Sequence, residues 1–289
     1  MKNYGLNLKL ELEQQSDADW KFGAITEDLA QIPEEERINY LPKDELQKGL
    51  EETFACASYS PLNLLEVKFN YLLRNKKLSF ENQMWLNEKG YVENGKVNFS
   101  DRFMAVKSGT TEEGNSLVAP LNSIRKDGII PESLLPKTDD MTFAQFHNKE
   151  AITGVMEMLG KDFASRFFIN YEKVLSKDYP KALKKDMIGV AGYAWPEPIG
   201  GEYPRVEAQP NHAFMLLKTP PYFIYDSYPD TYDGDFIKKL ASDYSFLSYG
   251  YRLSVNQKPI TPIKPFLERL KEWLRGFVPS IKWPLDYEK

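Results

Sequence analysis

Residues 51–60 read EETFACASYS and contain Cys56, the single cysteine of the 289-residue chain. Apolar residues follow it at helical spacing: Leu62, Leu64, Leu65, Val67, Phe69, Leu72 and Leu73. This pattern predicts a buried helix that begins near Cys56. A thiol in the first turn of a helix lies at the positive end of the backbone dipole, which lowers its pKa and favours the nucleophilic thiolate. Cys56 is therefore a candidate nucleophile; the alternative is a small buried hydrophobe.

The composition argues against several classes of function. The net charge is −5 and there is no long basic run, so we expect no nucleic-acid partner. One cysteine and two histidines provide neither a disulfide framework nor a Cys/His zinc cluster, and we expect no metal or cofactor. The first ten residues contain no apolar run long enough for a signal peptide or a membrane span. We expect synthesis in the cytoplasm without an export signal, with association with a virus particle as an open alternative.

Helical patterns dominate the first half of the chain and strand patterns the second, which predicts an α+β fold. Residues 150–186 read as mostly helical, with Met156, Leu159, Phe163 and Phe167 at helical spacing. Asn94-Gly95 predicts a hairpin turn. Strand candidates cover residues 188–195, 213–217, 222–225 and 249–255. We divide the chain into an N-terminal extension (1–34), a main domain (35–258, helical over about 50–186 and β over about 187–258) and a tail (259–289).

The tail carries an amphipathic pattern over residues 263–277. One helical face is apolar and consists of Ile263, Phe266, Leu267, Leu270, Trp273, Leu274 and Phe277. Such a helix docks on its own domain, on a protein partner or on a membrane surface.

Of the two histidines, His212 is the better candidate partner for Cys56. His147 lies in a polar setting and is expected at the surface, whereas His212 stands at the entry to an apolar strand. The next strand ends at Asp226, so an antiparallel pair would place this carboxylate where it can accept an imidazole N–H. The alternative role of Asp226 is that of a turn former before Pro229.

In chain order these residues resemble the papain-like cysteine peptidases of the C1 type. Residues 56–60 (Cys-Ala-Ser-Tyr-Ser) look like the family's Cys-Trp-Ala-Phe-Ser, residues 211–213 match its Asn-His-Ala, and residues 226–228 (Asp-Ser-Tyr) stand where it has Asn-Ser-Trp. The resemblance covers about residues 35–260 and is closest to divergent members predicted in bacteriophages and uncultured bacteria.

The resemblance implies a papain-like fold, in which a helical half carrying the cysteine packs against an antiparallel sheet carrying histidine and Asp226. It also implies a hydrolase that cleaves peptide or protein substrates through a catalytic triad. The Cys56 thiolate attacks, the His212 imidazolium pairs with it, Asp226 orients the ring, and an acyl-enzyme forms. By resemblance alone, the substrate-cleft candidates are Gly109, Gly114 and Trp195.

The sequence departs from the family pattern at the oxyanion position. The family's glutamine, six residues before the cysteine, is replaced by Leu50, and Gln47 is the nearby candidate donor. No long inhibitory propeptide precedes Cys56, so we expect no control by proteolytic maturation.

Two other functions remain open. One is a thiol amidase or transpeptidase that acts on cell-wall peptides with the same cysteine and histidine. The other is a non-catalytic structural or assembly protein of a phage particle that keeps the fold, and the missing glutamine at position 50 favours it.

Overall fold

The computed structural model describes residues 4–14, 21–230 and 234–258. These residues belong to one compact unit, Met1–Lys258. The tail, with the helix predicted over 263–277, lies outside the described residues. The helices are α1 (Leu8–Glu13), α2 (Cys56–Arg74), α3 (Phe80–Glu88), α4 (Asp101–Ser108), α5 (Val118–Asp127), α6 (Phe143–Phe146), α7 (Gly154–Arg166) and α8 (Tyr179–Leu183). Short 3₁₀ turns occur at Glu34–Tyr40, Glu132–Leu134, Lys149–Ala151 and Ser176–Asp178.

The strands are β1 (Val92–Glu93), β2 (Lys96–Val97), β3 (Phe167–Leu175), β4 (Ile188–Gly192), β5 (His212–Leu216), β6 (Tyr222–Tyr225), β7 (Ile237–Leu240) and β8 (Tyr249–Gln257). Strands β1 and β2 form the hairpin that Asn94-Gly95 predicted. The other six form one antiparallel sheet in the order β3-β8-β4-β5-β6-β7.

Helix α2 is the buried helix that the apolar pattern predicted, and it is the central element of the helical half. Every residue from Cys56 to Leu72 is buried, because the helix packs against β5 on one side and against α4 and the 3₁₀ turn at Glu34–Tyr40 on others. An all-round buried helix cannot slide or rotate without losing core contacts. The first residue of α2 is therefore held in a fixed position against the sheet.

The prediction that residues 150–186 are mostly helical is wrong for its middle part. Helix α7 ends at Arg166, and residues 167–175 form strand β3, which pairs along its whole length with β8. The side chains of Phe167, Ile169 and Tyr171 are buried, whereas Phe168 between them is exposed. This period-two alternation is that of a strand. Phe167 also continues the helical stripe of α7, and this overlap concealed the boundary.

The N-terminal extension is part of the core of this unit. Ala30 and Ile32 are buried, and the buried Lys68 of α2 donates to Asp28 Oδ2 at 2.9 Å and to the Ala30 carbonyl at 3.1 Å. The same ammonium pairs with Asp186, just before β4. One buried cation thus joins the extension, the central helix and the sheet. Within the described ranges, no helix is long and apolar enough to cross a membrane.

Candidate active site

His212 and Asp226 meet because β5 and β6 are antiparallel neighbours. His212 opens β5, and Asp226 follows the last residue of β6. The His212 Nε2 atom lies 2.6 Å from Asp226 Oδ1, and both side chains are fully buried. A carboxylate only accepts, so Nε2 carries the proton and donates it. The other ring nitrogen, Nδ1, is buried and has no hydrogen-bond partner among the described residues.

The Asp226 carboxylate is ionised although it is buried. Burial raises its pKa, but the charges of His212 and Lys238 and their hydrogen bonds outweigh burial and hold the pKa below its usual value. Lys238 Nζ lies 3.1 Å from Asp226 Oδ2. Trp195 Nε1 donates to the same oxygen at 3.0 Å, and the backbone N–H of Ser227 donates to Oδ1 at 2.7 Å.

Cys56 is the first residue of α2 and lies against the start of β5. Its sulfur is fully buried, and the backbone N–H of Ala213, the residue after His212, is close enough to favour the thiolate. The expectation that the helix terminus lowers the thiol pKa is wrong for this arrangement. Burial raises the pKa of the Cys56 thiol, and the negative charges of Glu52 and Asp226 raise it further, although the nearby Ala213 N–H lowers it. The thiol is protonated while it is covered in this way.

Gln47 lies beside this group with its side-chain amide fully engaged. Its Nε2 donates to the carbonyl oxygen of Tyr4 at 2.9 Å and to Glu52 Oε1 at 2.8 Å. Its Oε1 accepts from Ser227 Oγ at 3.0 Å, and its backbone N–H donates to the Ser227 carbonyl at 2.9 Å. Gln47 is therefore tied to the residue next to Asp226, and one of its donors already holds a peptide carbonyl.

That carbonyl belongs to the N-terminal segment (residues 4–14), which covers the site. The Tyr4 ring lies 5.2 Å from the His212 ring and 5.3 Å from the Tyr228 ring, centroid to centroid. The next residue, Gly5, has a φ of +111° and approaches the Phe54 carbonyl so closely that an added Cβ would lie 2.1 Å from that oxygen. The segment continues through Leu6, which is buried in the same core cluster as Cys56.

Beyond Leu6, the N-terminal segment is anchored on the loop before α5. Leu6 forms a parallel bridge with Asn115, and Glu11 is fully buried. The Glu11 carboxylate accepts from the Leu117 backbone N–H at the start of α5 and from Tyr249 Oη at 2.8 Å. A carboxylate on the first N–H groups of a helix is favoured by the helix dipole. Burial nevertheless raises the pKa of Glu11.

The three predicted cleft residues lie in different surroundings. Trp195 packs beside His212 with ring centroids 5.7 Å apart and donates to Asp226. Gly114 contacts the N-terminal segment, because a Cβ added there would lie 2.1 Å from the Gly5 carbonyl oxygen. Gly109 is the left-handed C-cap of α4 and faces open space. None of its described contacts involves Cys56, His212 or Asp226.

Sequence reasoning missed Tyr4, Asn211 and Lys238. The Asn211 side chain pairs reciprocally with the backbone of Ala194, at 2.8 Å and 3.3 Å, and thereby holds the segment that carries Trp195 next to His212. The Asn-His-Ala motif contained this signal. Nothing in the sequence marks Tyr4 or Lys238, because their roles come from contacts between residues far apart in the chain.

His147, predicted at the surface, is half-buried instead. Its Nε2 lies 2.8 Å from the Thr53 carbonyl oxygen, and its ring packs between Phe143 and Phe146. Within the described ranges, no three side chains of His, Cys, Asp or Glu come together in a way that could hold a metal ion.

No protein-family model matches the chain, and no curated protein matches it either. Solved structures do match. Procathepsin B S9 from Trypanosoma congolense aligns with a TM-score of 0.53 at 11% identity, over 85% of each chain. Xylellain, a cysteine protease from Xylella fastidiosa, aligns with a TM-score of 0.50 at 14% identity, over 89% of this chain and 98% of xylellain.

A third match is the ragweed pollen cysteine protease Amb a 11 in its proform, with a TM-score of 0.50 at 13% identity, over 90% of this chain and 76% of that one. At such identities the comparison shows the fold and not the activity. The chain therefore has the α+β fold of the papain-like cysteine proteases, with Cys56 at the start of its central helix.

Proposed function

We propose that this chain is a cysteine peptidase in which Cys56 is the nucleophile, His212 the general base and acid, and Asp226 the residue that orients the ring. The observation that carries the proposal is the state of His212. Its Nε2–H is committed to Asp226, and its Nδ1 has no partner among the described residues. The backbone N–H of the neighbouring Ala213 is close enough to the Cys56 sulfur to lower the pKa of the thiol.

The reaction follows from this arrangement. Nδ1 of His212 takes the thiol proton, and the thiolate attacks the carbonyl carbon of a peptide bond. The tetrahedral intermediate expels the amine as His212 returns the proton to it, which leaves an acyl-enzyme on Cys56. His212 then deprotonates a water molecule, which attacks the thioester and releases the acid and the thiol.

Gln47 supplies the oxyanion donor in this mechanism, together with the backbone N–H of Cys56. Its Nε2 holds the Tyr4 carbonyl oxygen at 2.9 Å, which supports a role in binding a substrate carbonyl at the same place. A donor of this kind typically contributes about 10²–10³ to the rate. The oxygen of Gln47 is fixed by Ser227, so the side chain is preorganised for this task.

The N-terminal segment must leave the site before a substrate can enter. While Tyr4 occupies the Gln47 donor and covers His212, burial keeps the Cys56 thiol protonated. Removal of the segment hydrates the sulfur, which removes the largest cause of its raised pKa. The proposed enzyme is therefore closed in the arrangement described here. We also propose that the chain is a papain-like peptidase of the divergent phage or bacterial type. Leu50 and Ala57, which depart from the family pattern, support this assignment.

The test is the alkylation rate of Cys56 as a function of pH, measured by intact-mass spectrometry in three proteins that all carry Gly5→Ala, which displaces the N-terminal segment: Gly5→Ala alone, with His212→Ala, and with the control His147→Ala. The single cysteine makes the signal unambiguous. We expect a rate plateau below the ordinary thiol pKa of about 8.5, lost in His212→Ala and kept in His147→Ala. An ordinary thiol titration in all three proteins would overturn the proposal.

The same variants then distinguish the substrate class. Turnover of unstructured peptides that depends on Cys56 and His212 supports the peptidase. Turnover of cell-wall stem peptides alone would replace it with an amidase or transpeptidase. A reactive thiol that turns over neither substrate would favour the non-catalytic assembly protein.

A further inference from the structure

The Asp226 carboxylate accepts four hydrogen bonds, two on each oxygen. Oδ1 accepts from His212 Nε2 at 2.6 Å and from the Ser227 N–H at 2.7 Å. Oδ2 accepts from Trp195 Nε1 at 3.0 Å and from Lys238 Nζ at 3.1 Å. Every group that contacts this carboxylate is a donor, so both oxygens must be acceptors.

Lys238 is unusual because it is a buried lysine in a short strand. It is 1% exposed and lies opposite Ile224 in the β6–β7 ladder, which places it on the same face as Asp226 two residues further along. Its ammonium also donates to the Tyr228 carbonyl and lies 5.3 Å from the centre of the Trp195 ring. Burial of an ammonium is costly unless it is paired, and the Asp226 carboxylate meets that requirement.

An amide at position 226 would not fit this environment. Its oxygen could accept from His212, but its NH₂ would then face Trp195 Nε1–H and the Lys238 ammonium, which are both donors. With the amide turned round, the NH₂ would face the Nε2–H of His212. Lys238 therefore explains why a carboxylate stands where the resembling family has a neutral amide.

The charge of Lys238 also has a consequence for the sulfur. A negative Asp226 disfavours a thiolate at Cys56, and a cation on its far oxygen offsets that charge. Asp226 and Lys238 together are neutral, as an asparagine would be. The pair keeps the hydrogen bond to His212 without leaving a net charge beside the nucleophile.

We propose that Lys238 is a positioning residue of the site: it neutralises Asp226 and fixes the carboxylate so that His212 keeps its Nε2–H on Oδ1 and its Nδ1 free for Cys56. This inference rests on the proposed function. The other titratable groups around Asp226 and the sulfur are Tyr4, Glu52, Tyr193, Tyr228 and Tyr244. These groups are present in all the variants below, so their contributions to the pH profile cancel when the variants are compared.

The experiment is a double-mutant cycle with Asp226→Asn, Lys238→Met and the combined variant, in the full chain. All of these proteins and their reference, called wild type below, carry Gly5→Ala, which displaces the N-terminal segment. The readout is the pH profile of Cys56 alkylation. Its two limbs are the rise in rate as the thiolate–imidazolium pair forms and the second change in rate as His212 loses its proton. Lys238→Met leaves an uncompensated anion, which favours imidazolium and disfavours thiolate, so both limbs of the profile move to higher pH by about one unit. Asp226→Asn leaves an uncompensated cation and moves both limbs to lower pH. The double variant returns them to the wild-type position.

Lys239→Met is the matched control. Lys239 is the next residue of β7, partly exposed and paired with Glu202 at 2.6 Å, and its loss leaves the profile unchanged. A role of Lys238 in folding alone would lower the fraction of reactive protein, seen by circular dichroism, without moving either limb. That result would overturn the inference.

The cycle also separates this inference from the proposed function. A wild-type profile with two limbs that Lys238→Met does not move overturns the role of Lys238 alone. A wild-type profile with only an ordinary thiol limb overturns both. If Lys238→Met does not fold, the comparison of Asp226→Asn with the double variant decides, because removal of the lysine must then reverse the downward displacement.

Discussion

The backbone N–H of Asn115 donates to the carbonyl oxygen of Gly5 at 2.8 Å, and the Asn115 carbonyl accepts in return from the N–H of Asn7 at the same distance. Through these two bonds the N-terminal segment joins the loop before α5 in a single parallel β-bridge. The resemblance marked Gly114 of this loop as a substrate-cleft residue. The segment therefore lies against a loop that the resemblance predicts to line the substrate cleft.

Gly5→Ala will open the site. The new Cβ meets the Phe54 carbonyl, and the backbone conformation at φ +111° is strained for alanine, at roughly 1–3 kcal/mol. We expect Cys56 alkylation to accelerate by about tenfold or more. Gly95→Ala is the control, because Gly95 also has a positive φ but nothing lies within 4 Å of its added Cβ. Equal rates in the two variants would mean that the segment does not limit access to the sulfur.

Gln47→Ala will change two rates in opposite directions. The loss of the bond to the Tyr4 carbonyl loosens the N-terminal segment, so alkylation of Cys56 accelerates. The loss of the proposed oxyanion donor is expected to slow the proposed peptide cleavage by about 10²–10³ in kcat. The measurement is the rate of Cys56 alkylation and the rate of peptide cleavage, both determined on the same preparation. A fall in both rates together would indicate damage to the fold, for which Gln83→Ala on α3 serves as the comparison.

Lys68→Met will destabilise the protein strongly. The substitution leaves Asp28 and Asp186 as buried carboxylates without their cation, and loss of one partner of a buried pair costs about 3–5 kcal/mol. Lys107→Met, which removes a partly exposed pair with Glu157 at 2.9 Å, is expected to cost about 0–1 kcal/mol. Urea unfolding of both variants measures the difference. Similar midpoints would show that the buried pair adds nothing to stability.

Glu132→Gln will flatten the dependence of stability on pH. Burial, and then the charge of Glu45, raise the pKa of Glu132 to about 8, and burial also raises the pKa of its neighbours Glu66 and Asp101. Because the pKa is higher in the folded state, the proton on Glu132 stabilises the fold. This stabilisation is complete below about pH 4.5 and is lost as the pH rises through about 8. One such proton makes the free energy of unfolding fall by roughly 1.4 kcal/mol for each pH unit between these two values.

Urea unfolding between pH 5 and 8 is the measurement. The wild type is expected to lose stability over this range more steeply than Glu132→Gln, which stays neutral. Glu150→Gln, in an exposed turn, should behave as the wild type does. A wild-type stability that rises towards pH 8 would contradict the prediction.

Much of the fold could be predicted because its signals are local. The apolar run after Cys56 and the Asn94-Gly95 turn each contain their own structural information, and both elements form as predicted. Residues 167–175 could not be assigned, because Phe167 satisfies a helical and a strand period at once. Only pairing with β8, some 80 residues later, decides between them.

The site was predictable only in part. His212 and Asp226 follow from one hairpin of neighbouring strands, so their order in the sequence predicts their contact. The contacts of Tyr4 and Lys238 depend on how distant parts of the chain fold together. The burial that raises the thiol pKa has the same origin, and it reversed the prediction made from the helix position alone.

The sheet order has a consequence for how this site tolerates change. His212 opens β5, Asp226 follows β6 and Lys238 lies on β7, so three adjacent strands each contribute one member, and the backbone ladders alone set their alignment. A change in the length of the connection beyond Tyr228, whose carbonyl Lys238 contacts, would leave the three in place. A one-residue insertion within β6 would turn Asp226 to the opposite side of the sheet. The alignment of the three side chains is thus insensitive to the length of that part of the loop and depends strictly on strand register.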